Sequence, residues 1–117
     1  VVQITAAKVN ECAFCVAGHT KIAVAKKLFS DETLAAIRTL TPFREEDQKL
    51  DALARFTIAV MINKGAVSDE ALQDFFAAGY NEQQAVEVIL GIALATLCNY
   101  TNNLAQNSIN QELLPFA

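Results

Sequence analysis

Between Ala85 and Cys98 the sequence runs almost without polar side chains, and no other stretch constrains the fold as strongly. Wound as a helix, it is apolar on nearly every face, so it must be buried on all sides, by its own subunit or by a partner. Asn81 can cap this helix, which should run from Glu82 to about Asn107. The apolar run itself, Val88 to Cys98 with one threonine, is well short of the ~20 residues a bilayer requires. No basic segment followed by an apolar core and a cleavage site opens the chain. No membrane partner is therefore expected. Three cysteines without a signal peptide point to a reducing, cytoplasmic location.

The rest of the chain is punctuated at helical intervals. Leu50, Leu53, Ala54, Thr57, Ile58 and Met61 share one face of a helix that can start at Thr41-Pro42 and stop at Gly65. Ser30-Asp31-Glu32 and Ser68-Asp69-Glu70 are near copies, in which a serine caps a helix and two carboxylates meet its positive end. Gly79 should close the second of these. Val1 to Asn10 is less decided, with Val2, Ala6 and Val9 on one helical face but two β-branched residues at the start. The expectation is an all-α, single-domain bundle of five to six helices over residues 1–117. With 53% hydrophobic residues, disorder is excluded. The opening Val1-Val2 lacks an initiator Met and reads as a chain missing an N-terminal segment.

Charge narrows the partners. The net charge is −4. All nine Lys and Arg lie within residues 1–64, against seven carboxylates, whereas residues 65–117 carry six carboxylates and no Lys or Arg. An acidic half of this kind does not approach phosphates, so nucleic acid is not expected as a partner. Complementary packing of the halves, within a subunit or between subunits, is the simple reading.

Chemistry concentrates in Glu11-Cys12-Ala13-Phe14-Cys15-Val16-Ala17-Gly18-His19. On a helix Cys12 and Cys15 are i, i+3 neighbours, and Cys15 and His19 are i, i+4 neighbours, so all three share a face. Gly18, Ile22 and Ala25 continue it and should half-shield the thiols. A helix N-terminus and a nearby imidazole both favour a reactive thiolate. His19 can take the Cys15 proton and return one to a leaving hydroxyl or alkoxide. A Cys15 sulfenic acid could condense with Cys12 to a disulfide, which an external dithiol would reset. Thioredoxin-like logic would make Cys12 the nucleophile; the lone histidine one turn after Cys15 favours Cys15.

Two other uses of the same residues stay open, a dithiol–disulfide exchange partner for another protein and a zinc or structural module. Zinc would need a fourth ligand, Cys98 or Glu11. Cys98, deep in the apolar run, reads as a buried structural thiol. Glu11 either orients His19 or serves as a first-turn dipole partner. Asn99, Asn102 and Asn103 read as a helix end or a solvent-facing turn, the alternative being donors facing the thiols.

The motif Cys12-x-x-Cys15-x-x-x-His19 resembles the signature of the alkylhydroperoxidase D-like family, within the carboxymuconolactone decarboxylase superfamily. The similarity extends to the first helix, to Phe29-Ser30-Asp31-Glu32, and to the turns at Lys64–Asp69 and Ala78–Glu82. It implies an all-α homo-oligomer, trimeric or hexameric, and a thiol peroxidase of peroxiredoxin-type, antioxidant activity working without haem, flavin or metal. It implies a hydroperoxide as substrate and a dithiol, thioredoxin-like or dihydrolipoyl, as reductant. In it Cys15 would meet the peroxide and Cys12 would resolve. Phe14 stands where some members carry a second histidine, and the family's relay glutamate would fall just before Val1, so Glu11 is not that residue. The decarboxylase branch lacks the cysteine pair, which makes lactone decarboxylation a poor assignment.

Overall fold

The computed structural model describes residues 1–117. Its six α-helices are α1 (Val2–Val9), α2 (Ala13–Ala25), α3 (Asp31–Thr39), α4 (Gln48–Ile62), α5 (Asp69–Ala77) and α6 (Glu82–Ala105). A 3-10 turn at Glu45–Asp47 leads into α4, and a six-residue 3-10 helix, Gln111–Phe116, follows α6. There is no strand, as an all-α fold requires. With the C-terminal 3-10 helix the count reaches seven, above the five to six expected.

The caps are where the sequence puts them. Ser30 Oγ accepts the Thr33 N–H at 3.2 Å, and Ser68 Oγ accepts the Ala71 N–H at 3.1 Å. Asn81 and Gln84 form a reciprocal capping box at the head of α6. Each such cap stabilises its helix by about 1 kcal/mol. Gly65 and Gly79, at φ of 89° and 108°, turn the chain after α4 and α5.

Helix α4 starts six residues after Pro42, not at Thr41-Pro42. A buried carboxylate explains the delay. Asp51 Oδ1 accepts the Phe43 N–H at 3.0 Å, which draws Phe43 into the core and holds the chain extended before the 3-10 turn. Asp47 meanwhile accepts the Thr33 hydroxyl and ties that turn to α3.

The centre of the bundle is α1, which packs against α2, α3, α4 and α6. Its consecutive residues Ile4, Thr5, Ala6 and Ala7 are at most 3% exposed, so the helix is enclosed on every side. Small side chains make this possible by letting neighbours close in. The α1–α6 crossing is close at Gly91, where a Cβ would sit 3.1 Å from Val2 Cγ1, and where Gln3 Nε2 donates to the Gly91 carbonyl at 2.9 Å. At the far end, Phe75 is sandwiched between Phe56 and Tyr80, with ring centroids 4.1 and 4.4 Å away, joining α4, α5 and the turn that leads into α6.

Helix α6 departs from expectation. Within this chain only Val88, Ala95 and Asn99 are buried, while Val86, Leu90, Leu94, Leu97 and Leu104 lie exposed along its outer side. The helix is not enclosed by its own subunit. It is also, by length and composition alone, apolar enough to cross a membrane, where no segment had been expected to qualify. Its inner edge behaves as a core helix, since it carries the fully buried, hydrogen-bonded Asn99.

Candidate active site

The thiol motif sits at the junction of three helices. Helix α1 ends at Asn10, and Glu11 takes a left-handed φ of 54°, so the chain reverses in one residue. The Glu11 and Cys12 amides close that turn on the carbonyls of Lys8 and Ala7, at 3.1 and 2.9 Å. Cys12 then becomes the N-cap of α2. Its Sγ accepts the Cys15 N–H at 3.3 Å, the role a serine or aspartate hydroxyl or carboxylate usually fills. The Cys-x-x-Cys spacing is therefore also a capping spacing, which places both sulfurs at the positive end of the α2 dipole.

Both thiols are free and more buried than half-shielded, Cys12 at 1% exposure and Cys15 at 6%. Of the residues expected to shield them, Ile22 and Ala25 are exposed and do not. Cover comes instead from Ala7, Val16 and Phe14. Burial, reinforced by the adjacent Cys15 thiol, pushes the Cys12 pKa up from 9.0 to about 11. Near neutral pH Cys12 is thus a protonated thiol.

His19 follows one turn after Cys15 on α2 and is half-buried. Desolvation lowers its pKa below 6.5, so the imidazole is neutral at pH 7. A neutral imidazole can accept a proton. The side chain on Cys15 in this structure is a different one: Asn102 Nδ2 donates to Cys15 Sγ at 3.5 Å.

Asn102 belongs to a cluster of amides that joins α6 to the thiol turn. Asn10 Nδ2 donates to Thr96 Oγ1 at 3.2 Å and to the buried Asn99 Oδ1 at 3.0 Å. Asn103 Nδ2 donates to the Asn10 carbonyl at 2.9 Å. Asn102 and Asn103 lie in the last turn of α6, where their carbonyls accept the Gln106 N–H, and Asn103 is exposed, as a helix end should be; their side chains also reach the turn that carries the cysteines and Cys15. Helix α6 runs on to Ala105 and closes at Gln106, in a left-handed conformation.

Glu11 lies before the α2 cap, outside its first turn, and is exposed. No ion pair joins it to His19. It lines a cavity of about 380 Å3 beside Cys12, together with Lys8, Arg38 and Val16. Cys98, expected as a buried packing thiol, is exposed on α6, because that helix turns its outer side away from the bundle. No three His, Cys, Asp or Glu side chains converge as a metal-ligand group, so the set that zinc would need is not assembled.

Chemically, the corner offers two adjacent thiols at a helix N-terminus, a neutral imidazole one turn on, and an amide donor on one sulfur. No protein-family model matches this sequence, and no curated protein matches it.

Proposed function

We propose that this chain is an alkylhydroperoxidase D-like thiol peroxidase of the cytosol, with Cys15 as the peroxide-reacting thiol, Cys12 as the resolving thiol and His19 as the base. The observation that carries this reading is the contact of Cys12 Sγ with the Cys15 amide, which sets two unbonded thiols side by side in the first turn of α2.

In the proposed cycle His19 takes the Cys15 proton, and the thiolate sulfur attacks the terminal oxygen of a hydroperoxide. The O–O bond breaks, the alkoxide leaves with the proton from the imidazolium as an alcohol, and Cys15 holds the hydroxyl as a sulfenic acid. Cys12 sulfur then attacks Cys15 sulfur; water departs and a Cys12–Cys15 disulfide forms. An external dithiol, dihydrolipoyl or thioredoxin-like, restores both thiols by exchange and ends as a disulfide itself. Glu11 has no step in this cycle.

The reading extends to assembly. The exposed leucines of α6 form a stripe at helical spacing, too continuous for a solvated helix face, and a second copy of this chain is its proposed cover in a trimer or hexamer. The test of the chemistry is Cys15→Ser. Consumption of hydroperoxide with a dithiol reductant should be abolished; full activity in the variant would exclude Cys15 as the reacting thiol.

A further inference from the structure

Asn102 shares no sequence neighbourhood with the thiol motif, yet its amide is fully hydrogen-bonded and reaches Cys15. One Nδ2 hydrogen goes to the Cys98 carbonyl at 2.9 Å, one turn back on α6, and the other to Cys15 Sγ at 3.5 Å. Its Oδ1 accepts from Asn107 Nδ2 at 2.6 Å. The orientation is forced, because a flipped amide would set Oδ1 against the Cys98 carbonyl, which can only accept. The donor is thus fixed before any reaction and needs no reorganisation. An N–H donor bonds an anionic sulfur more strongly than a neutral one. It therefore shifts the balance toward thiolate.

We propose that Asn102 is the residue of this site that holds the Cys15 thiolate, a donor role carried by α6 and separate from the base role of His19. The proposal rests on the reading of Cys15 as the reacting thiol. Asn107 acts through Asn102, as a positioning residue for its amide.

The experiment is alkylation of the full chain by iodoacetamide across the pH range, with the Cys15 peptide quantified separately by mass spectrometry. In Asn102→Ala the midpoint of the Cys15 pH profile should move up by about one unit, and alkylation at neutral pH should slow about tenfold. Asn102→Asp, of equal size but without the N–H, should move it further. An unchanged midpoint in folded Asn102→Ala overturns the proposal. If that variant does not fold, Asn102→Asp decides, and an unchanged or lowered midpoint there overturns it equally. Alkylation involves no peroxide, so a wild-type chain inert to hydroperoxide would refute the peroxidase reading alone. A variant with normal alkylation and normal peroxide turnover would refute the role of Asn102 alone.

Discussion

The shortest and the longest α-helices of this protein exchange the roles their sequences suggest. Helix α1 has an undistinguished apolar pattern, yet Ile4 to Ala7 are enclosed on all sides. Helix α6 is apolar on nearly every face, yet Leu97 is 67% exposed and Leu104 88%. Hydrophobicity measures how much surface has to be covered; side-chain size decides how closely the chain's own helices can cover it. Alanines and a threonine let four elements converge on α1. The bulky stripe of α6 is left uncovered by the chain's own helices.

The contrast can be broken most severely at α6. Leu90→Glu with Leu94→Glu should convert the assembled protein to single chains, as read by light scattering on a sizing column. A wild type that is already a single chain would refute the oligomer reading. At α1, Ile4→Ala should destabilise the fold by about 2–5 kcal/mol in denaturant titration. Leu97→Ala, measured on the dissociated chain, should change stability by no more than about 0.5 kcal/mol. Equal effects at the two positions would erase the distinction.

Titration gives a smaller effect at the thiol corner. Cys12 is raised in the folded state, so its contribution is intact below pH 9.0 and is lost as pH climbs toward about 11, where only the unfolded thiol ionises. His19 is lowered, so its contribution is present above pH 6.5 and fades as pH falls through the lowered value, where the unfolded imidazole binds the proton first. Stability should therefore decline on both sides of a neutral plateau. Cys12→Ser should remove the alkaline decline attributable to that thiol.

What the sequence discloses here is what local geometry determines. The caps at Ser30, Ser68 and Asn81 and the stops at Gly65 and Gly79 each depend on residues within a few positions, and each can be placed by spacing alone. The same holds for Cys12 and Cys15, which meet across one turn at the head of α2. Asn102 was readable only as a possibility, because it reaches Cys15 across 87 positions of sequence. Asn10 and Asn99 meet across 89. Their partners are set by the α1–α6 crossing at Gly91, and no periodicity within α6 reports it. Cys98 was misplaced for the same reason: its apolar neighbours indicate burial, but not that its side of α6 faces away from the other helices.

The most direct measurement is peptide mapping by mass spectrometry after one equivalent of hydroperoxide. The proposed mechanism predicts a Cys12–Cys15 disulfide in the wild type, a trapped Cys15 sulfenic acid in Cys12→Ser, and Cys98 still reduced in both. Oxidation at Cys98 with Cys12 and Cys15 left as thiols would contradict it.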